Sequence, residues 1–297
     1  MRAGISSVIN STNIILMRPF DYFTPTTLSE ALSLLAEHNG KAAVIAGGTD
    51  LLLKVKAGLR KPDVVVNIKR LPDLRHLTFD AVDGLKLGAL TTLRELTRSS
   101  IVSEHYPVLA QTAHIMASEQ IRSLATVGGN LCNAAPSADL APPLIALDAS
   151  VCLIGSSGER RLSLENFFVG PGKSVLQPGE LLKEIILPPP VGETIYLKQS
   201  PRAYMDIAVV GVAIRMRLES DICREVRVVL GAVAPLPLRA HQSEDVLAGQ
   251  ALTEERIVHA AKIAAQECSP IDDVRGAAWY RRRMVVVLVK RGIKLIQ

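Results

Sequence analysis

The sequence predicts an α+β protein built from two units, and three observations support this prediction. In the first half of the chain, short apolar segments typical of strands alternate with segments of helical periodicity. From Val151 onward the pattern changes to hairpins. The proline run 188–190, followed by Gly192, then marks a linker before a tail with three strand-like stretches and two helices.

Composition limits the classes of function. The chain has 297 residues, 48% of them hydrophobic, which is enough for two or three domains with packed cores. No apolar run approaches the roughly 18 residues needed to cross a bilayer, so membrane insertion is not expected. The net charge of +5 is spread along the chain and only 4% of residues are aromatic, which disfavours nucleic-acid binding. Four cysteines without C-x-x-C spacing suit reduced thiols in a cytoplasmic protein.

Residues 1–16 do not resemble a secretory signal, because no cleavage pattern follows an adequate apolar core. Met17 looks like a better natural start. We therefore expect residues 1–16 to be an N-terminal extension, either disordered or the product of a misplaced start codon.

The first elements alternate strand and helix. A capping box at 27–30 (Thr-Leu-Ser-Glu) opens a helix that Gly40 ends. The stretch 42–46 predicts a buried strand that runs into a Gly-Gly turn, and 49–57 predicts a short helix leaving it. A further strand is expected at 64–68.

The next region repeats this arrangement. A strand is expected at 85–89, and a second capping box at 92–95 (Thr-Leu-Arg-Glu) opens a helix. Pro107 suits the first turn of a helix that reaches about Ala117. The segment 119–125 then leads into a second Gly-Gly turn, and Ser137 and Asp139 stand where another helix could begin.

Hairpins and a separate tail complete the chain. The turn 155–158 (Gly-Ser-Ser-Gly) joins two strands. Beyond the proline linker the predicted elements are strands at 195–199, 209–218 and 224–233, and helices at about 254–267 and 277–294.

The two glycine turns are the chemically informative features. They read Ala-Gly-Gly-Thr-Asp at 46–50 and Thr-Val-Gly-Gly-Asn at 126–130. Glycine lets consecutive backbone N–H groups turn toward an anion, so the pair predicts two nests that hold one diphosphate. Neither turn has the G-x-G-x-x-G or G-x-x-x-x-G-K-[ST] pattern, which disfavours a Rossmann or ATP-binding loop.

Longer strings around these turns resemble a known family. The segments 46–52, 120–131 and 135–142, with Tyr-Arg-Arg-Arg-Met at 280–284, strongly resemble the FAD-binding medium subunit of molybdenum hydroxylases. That family includes xanthine dehydrogenases, carbon monoxide dehydrogenases, aldehyde oxidoreductases and 4-hydroxybenzoyl-CoA reductases. The resemblance runs from Met17 to the end of the chain.

The resemblance implies a fold and a division into domains. It implies a two-subdomain FAD-binding fold of the vanillyl-alcohol oxidase or p-cresol methylhydroxylase type at 17–190, with subdomains at about 17–75 and 76–190. A small C-terminal α+β domain with a three-stranded sheet and helices would occupy 191–297.

The resemblance also implies a function. FAD in this chain would receive electrons from the [2Fe-2S] clusters of a small subunit and pass them to NAD or another acceptor. A large subunit would hold molybdopterin and act on the organic substrate, in a cytoplasmic dimer of heterotrimers. No catalytic or metal-binding residue is expected in this chain itself.

Carried over residue by residue, the resemblance implies a set of cofactor-binding positions. The first cradle comprises Val44, Ile45, Ala46, Gly47, Gly48, Thr49, Asp50 and Leu51. The second comprises Thr126, Val127, Gly128, Gly129 and Asn130. Asp139 matches a position that contacts the nucleotide end, and Leu182 and Lys198 match positions near the isoalloxazine. The segment 204–206 borders the flavin ring in relatives.

Two departures from the family pattern bear on the site. Met116 occupies a place where eukaryotic xanthine enzymes have a phenylalanine beside the cofactor, which changes the stacking contact. Cys132 follows the second motif as in the hydroxybenzoyl-CoA reductase branch, but the insertion with three further cysteines is missing. One thiolate cannot hold a four-iron cluster, so we interpret Cys132 as a structural thiol.

Other interpretations remain open at this stage. A self-sufficient flavin oxidoreductase of the vanillyl-alcohol oxidase type, or a cell-wall-precursor reductase, would share the first two subdomains. An assembly subunit that has lost its flavin is a third alternative, although both glycine turns are intact. The Asp50 side chain could serve either as a carboxylate that complements the helix dipole at the start of a helix or as a direct contact to the ligand.

Overall fold

The computed structural model describes residues 18–297. The expected extension at 1–16 lies outside the described residues. Within residues 18–297 no helix is both long and apolar enough to cross a bilayer.

The first part of the chain is a small parallel sheet with helices. Its strands are β1 (Asp21–Phe23), β2 (Ala42–Ile45) and β3 (Val64–Asn67), and its helices are α1 (Leu28–Glu37) and α2 (Leu51–Lys56). The strand order is β1-β3-β2, and both pairs are parallel. Thr27 caps α1 by accepting from the N–H of Glu30, as predicted, whereas the Glu30 carboxylate accepts from the N–H of Thr26 instead of Thr27.

The second part is built on an antiparallel sheet. Its strands are β4 (Leu77–Asp80), β5 (Gly84–Gly88), β6 (Ser150–Gly155), β7 (Gly158–Ser163), β8 (Phe168–Gly170), β9 (Lys173–Ser174) and β10 (Leu181–Leu187). Its helices are α3 (Leu93–Arg98), α4 (Ser100–His105), α5 (Pro107–Ile115), α6 (Glu119–Arg122), α7 (Val127–Asn133) and α8 (Ala141–Ala146), with 3₁₀ turns at Pro72–Leu74 and Leu164–Asn166. The main sheet has the order β4-β5-β10-β6-β7, and β8 pairs with β9. Two predicted features of this part, the capping box of α3 and the hairpin β6–β7, are present.

The last part contains the third sheet. Its elements are β11 (Glu193–Gln199), β12 (Val210–Glu219), β13 (Ile222–Gly231), β14 (Leu238–Arg239), α9 (His241–Leu247), β15 (Gln250–Ala251), α10 (Glu254–Glu267) and α11 (Ala278–Ile296). The strand order is β11-β12-β13-β14, and β15 also pairs with β13. The three predicted strands are the long members of this sheet. The two-residue strands are additions that are too short to give a period in the sequence.

The third sheet packs on one face against α10 and α11 and on the other face against the second part of the molecule. Val228 and Leu230 face a core shared with α10 and α11, whereas Ala213 and Val229 face the core of the second part. Alternate residues of one strand therefore pack against different layers, as the two-residue period of a strand requires. Helix α8 lies on this sheet, where a Cβ at Gly231 would be 2.9 Å from the Pro142 ring.

Helix α8 begins later than the sequence indicated. Ser137 and Asp139 lie before it, and its first residue is Ala141. Pro142 and Pro143 occupy the first turn, where a proline loses no intrahelical hydrogen bond. Asp139 is instead 7% exposed and forms side-chain contacts described below.

Candidate functional site

A cavity of about 590 Å³ lies between the first and second parts of the molecule. Three segments form most of its wall: the turn between β2 and α2, the start of α7, and the loop before β10. Twelve of the predicted residues line it: Val44, Ala46, Gly47, Gly48, Thr49, Asp50, Leu51, Thr126, Gly128, Gly129, Asn130 and Leu182. The two glycine turns therefore meet at one cavity although they are far apart in the sequence.

The first glycine turn offers unpaired backbone donors to this cavity. Within the described chain, the N–H groups of residues 47–50 donate no hydrogen bond to protein. Gly48 has φ +78°, a left-handed conformation that glycine adopts without strain. A run of consecutive free N–H groups around a left-handed residue is the geometry of an anion-binding nest.

Gly47 is required by packing against the second glycine turn. A Cβ at this position would lie 2.7 Å from the carbonyl carbon of Leu124 and 2.9 Å from the Cα of Ala125. These two residues lead directly into the second turn. The absence of a side chain at Gly47 therefore lets the backbones of the two turns touch.

The second glycine turn differs from the expected nest, because its N–H groups are already used. Val127 donates to the carbonyl of Thr91 at 2.9 Å, and Gly128 donates to that of Ala89 at 3.0 Å. Gly129 donates to the Thr126 hydroxyl at 3.0 Å, and Asn130 to the Thr126 carbonyl at 2.9 Å. The two turns are therefore not equivalent, and only the first has a run of free backbone donors.

The second turn contributes a side chain instead. Oδ1 of Asn130 is buried and has no hydrogen-bond partner in residues 18–297. A buried acceptor that is left without a partner costs about 1–3 kcal/mol. Because Asn130 lines the cavity, a polar ligand atom would satisfy it.

A polar network connects the two turns. Asn133 of α7 donates to the Asp50 carboxylate at 3.1 Å and accepts from the Lys54 ammonium. Lys54 therefore has its charge held at the cavity wall. Arg60 and Lys173 also line the cavity, and neither has a carboxylate within 4.0 Å among the described residues. The wall thus carries positive charge that suits a phosphate group.

Five predicted residues are not in the wall of this cavity. Ile45 and Val127 are buried in the cores of the first and second parts. Met116, 7% exposed, belongs to the core of the second part, and the Arg122 guanidinium donates to its carbonyl at 2.8 Å. Asp139 and Lys198 contact one another instead.

Asp139 and Lys198 form a buried ion pair between the second part and the third sheet. Lys198 Nζ donates to the Asp139 carboxylate at 2.9 Å and to the Asp206 carbonyl at 2.7 Å. Tyr196 donates to the other Asp139 oxygen at 2.8 Å. Burial raises the pKa of Asp139 although the Lys198 charge opposes this, and burial with the Asp139 charge raises the pKa of Tyr196 well above its usual range. The pair therefore connects β11 to the segment before α8.

Sequence reasoning missed the third wall of the cavity. The segment that runs from β8 through β9 to the start of β10 contributes Val169, Gly172, Lys173, Ser174, Leu176, Gln177, Pro178, Gly179, Glu180 and Leu181. The signal available in the sequence was the turn-forming composition of this segment. In the structure its glycines Gly172 and Gly179 have left-handed φ values of +70° and +86°. Nothing in the local sequence indicated which surface the loop faces.

Cys132 also lines the cavity. Burial raises the pKa of its thiol to about 12. In residues 18–297 no three His, Cys, Asp or Glu side chains lie close enough together to hold a metal ion.

Family profiles match almost all of the described chain. The profile described as FAD binding domain in molybdopterin dehydrogenase matches residues 18–190. The chain belongs to the FAD-binding subunits of molybdopterin dehydrogenases. In this FAD-binding subunit, residues 195–296 match a second profile, the CO dehydrogenase flavoprotein C-terminal domain.

Curated relatives match the FAD-binding subunit over nearly their full length. It is 32% identical to the xanthine dehydrogenase FAD-binding subunit of Escherichia coli O157:H7 over 275 residues, 92% of this chain and 94% of the relative. It is also 32% identical to the carbon monoxide dehydrogenase medium chain of Hydrogenophaga pseudoflava over 275 residues, 92% of this chain and 96% of that one.

Solved structures have the same fold as this FAD-binding subunit. One is a chain of carbon monoxide dehydrogenase from Hydrogenophaga pseudoflava, in a form that lacks the Mo-pyranopterin moiety of the molybdenum cofactor. It superimposes with a TM-score of 0.91 at 32% identity, and the match covers 95% of this chain and 98% of that one. Quinoline 2-oxidoreductase from Pseudomonas putida 86 gives 0.89 at 26% identity, with 94% and 97% covered. These matches confirm the predicted family, fold class and flavin cofactor. They also confirm the prediction that this chain is the flavoprotein subunit of an oxidoreductase.

Proposed function

We propose that this chain is the electron-transfer subunit of a multi-subunit molybdenum hydroxylase. The observation that carries the proposal is its end-to-end similarity to proteins named FAD-binding subunit or medium chain, 94% and 96% of whose lengths are matched. Electrons released at a molybdopterin-binding large subunit would pass through the [2Fe-2S] clusters of a small subunit to FAD here. They would leave to NAD or another acceptor.

The proposed assembly is a dimer of heterotrimers in the cytoplasm. All four cysteines are free thiols, which supports a reducing compartment. The family profiles end at residue 190 and begin again at residue 195, which supports the proposed domain boundary at 190/191.

Within the chain, we assign the FAD diphosphate to the first glycine turn. Four free N–H groups, at residues 47–50, would donate to it, and the charges of Arg60 and Lys173 would add to the attraction. The unpaired Oδ1 of Asn130 would bond a polar atom of the same ligand. The other members of the predicted set remain proposed cofactor-binding positions, although they do not line the cavity: Ile45, Met116, Val127, Asp139 and Lys198.

Bound FAD would supply the redox chemistry, because a flavin can take up electrons singly and release them as a pair. The residues of this chain bind and orient it. The apolar side chains of Val44 and Leu182 line the cavity and would pack against the ligand.

Anaerobic mixing tests the proposed direction of electron flow. The iron–sulfur partner is reduced with dithionite, desalted and mixed with the FAD-loaded chain, and flavin absorbance is followed. Bleaching of the flavin is expected. No bleaching would contradict the proposal. Bleaching of the isolated chain by an organic substrate alone would support a self-sufficient flavin oxidoreductase instead.

A further inference from the structure

Arg122 joins the end of one helix to the segment that leads into the second glycine turn. It is the last residue of α6, and its side chain is only 11% exposed. One terminal nitrogen of its guanidinium, Nη1, donates to the carbonyls of Met116 and Ala117, at 2.8 and 2.9 Å. The other, Nη2, donates to the Glu119 carboxylate at 3.1 Å. A single side chain therefore fixes the link between α5 and α6.

The link that Arg122 holds contains a strained residue. Ala117 has φ +46°, in the left-handed region that residues with a Cβ adopt only at a cost in free energy. Such a conformation persists only where the surrounding structure holds it. The hydrogen bond from Arg122 to the Ala117 carbonyl is a contact of this kind. Without it, Ala117 is expected to relax to negative φ, which changes the direction in which the chain enters α6.

Helix α6 depends on such contacts for its position. It has only four residues, Glu119–Arg122, and is therefore too short to be stable alone. Its first residue, Glu119, also contacts Arg94 and Arg98 of α3, at 3.2 and 3.3 Å. Glu119 and Arg122 thus tie the two ends of α6 to α3 and to the end of α5, whose buried side chains belong to the core of the second part.

The position of α6 sets the contact between the two glycine turns. The N–H groups of Leu124 and Ala125 both donate to the Ile121 carbonyl, at 3.0 and 2.7 Å, so these residues continue directly from α6. The same two residues pack against Gly47, and Ala125 lines the cavity. A shift of α6 would therefore move one wall of the cavity away from the first glycine turn, whose free N–H groups are assigned to the FAD diphosphate.

We propose that Arg122 is a positioning residue for the flavin: by holding Ala117 in its left-handed conformation, it keeps the second glycine turn against the first. This inference rests on the proposed function, because it takes the cavity to be the FAD site. Arg122 does not line the cavity, so its effect on the ligand is indirect. Chains in which the link 116–118 has relaxed would be folded but unable to close both turns on FAD. The apparent Kd would then rise in inverse proportion to the fraction of chains that stays competent.

Titration of the flavin-depleted complex with FAD tests the proposal. The variant Arg122→Met keeps the length of the side chain but removes its donors. Kd is measured well below the unfolding temperature, where a loss of global stability alone would not change it. The Kd is expected to rise about tenfold, as if about a tenth of the folded chains stayed competent. Arg122→Lys, which retains a cationic donor, should lie between wild type and Arg122→Met.

A second substitution, at Ala117, separates positioning from a general structural role. Glycine adopts φ +46° without strain, so it needs no side chain to hold it there. Ala117→Gly alone should leave the Kd within about twofold of wild type, and Arg122→Met/Ala117→Gly should recover most of the roughly tenfold loss. If Arg122→Met does not fold, Arg122→Lys with and without Ala117→Gly makes the same comparison.

Arg281→Met is the matched control. Arg281 is also buried and also donates to the carbonyl of a left-handed alanine, Ala232 with φ +63°, at 2.9 Å, but neither residue lines the cavity. Its unfolding temperature is expected to fall while its Kd for FAD stays that of wild type. An unchanged Kd in Arg122→Met, an equal rise in Arg281→Met, or a double variant no better than Arg122→Met would overturn the proposal. Failure of the wild-type complex to bind FAD would instead contradict the proposed function.

Discussion

Gly47 and Leu124 are in backbone contact, and this contact joins the two glycine turns that line the cavity. A Cβ added to Gly47 would lie 2.7 Å from the Leu124 carbonyl carbon, closer than real Cβ atoms approach. Leu124 lies two residues before the second glycine turn. The glycine therefore serves packing between the turns as well as the conformation of its own turn.

Gly47→Ala is expected to destabilise the fold by more than about 2 kcal/mol, since the new methyl group overlaps main chain that cannot rotate away. Urea unfolding measures the change. Gly170→Ala is the matched control, because its Cβ would meet only the Lys173 side chain at 3.8 Å, and its effect should stay within about 0.5 kcal/mol. A Gly47→Ala variant with wild-type stability but no FAD would show that Gly47 serves the ligand and not the packing.

Asn130→Ala is expected to weaken FAD binding without weakening the fold. Oδ1 of Asn130 accepts no hydrogen bond in the described chain, so only a ligand contact of about 1 kcal/mol, about fivefold in Kd, is lost. Titration of the flavin-depleted complex with FAD measures Kd, and thermal unfolding without FAD measures stability. Asn166→Ala, at an exposed position outside the cavity wall, should change neither value. An unchanged Kd in Asn130→Ala would remove Asn130 from the binding site.

Arg60→Gln/Lys173→Gln is expected to raise the Kd for FAD severalfold at low salt, because two cations leave the cavity wall. The difference from wild type should shrink at about 0.5 M salt, where exposed charges are screened over a few ångströms. The same titration at two salt concentrations makes the comparison, with Lys262→Gln/Arg291→Gln as the control, because it also removes two exposed cations but outside the cavity wall. A salt-independent difference would point to packing instead of charge.

Lys198→Met is expected to cost about 3–5 kcal/mol of stability at neutral pH, because it leaves the Asp139 carboxylate buried without its cation. Asp139→Asn/Lys198→Met removes both charges and should cost much less than Lys198→Met. Urea unfolding of the two variants and of Asp139→Asn gives the coupling energy. Equal costs for Lys198→Met and the double variant would contradict the importance of the pair.

The cost of Lys198→Met should also depend on pH. Burial already holds the pKa of Asp139 above the usual aspartate value of 3.8, and the loss of Lys198 removes the charge that opposes this rise. The folded state then binds more protons than the unfolded state above that value, so its stability falls as pH rises through the folded pKa. Lys198→Met should accordingly be closer to wild type at acid pH than at pH 7. A cost that grows on acidification would contradict this sign.

Local sequence signals predicted much of the fold. Capping boxes located the starts of α1 and α3, and the helical period located α10 over the residues it occupies. Strand β10 was missed because Leu181–Leu187 is the middle strand of its sheet, with no clean alternation of apolar and polar residues. Helix α9 was missed because its seven residues include Ser243 and Glu244, which are buried through hydrogen bonds that the sequence does not reveal.

The site was predictable only where its chemistry is local. The glycine pattern indicated the first turn, whose N–H groups are free. The second turn has the same pattern, but Thr91 and Ala89 accept two of its N–H groups, from Val127 and Gly128, and this pairing depends on segments distant in the sequence. The Asp139–Lys198 pair likewise joins two domains. Hydrogen bonds across domains depend on tertiary packing, so they cannot be predicted from the spacing of residues within a motif.

Flavin content tests the central claim most directly. The chain is purified together with its partner chains, the flavin is released by denaturation, and its amount is compared with that of the chain. About one FAD per chain is expected, because one cavity with one open nest takes one diphosphate. A complex that is intact but colourless, with no releasable FAD, would contradict the assignment of this cavity to the flavin.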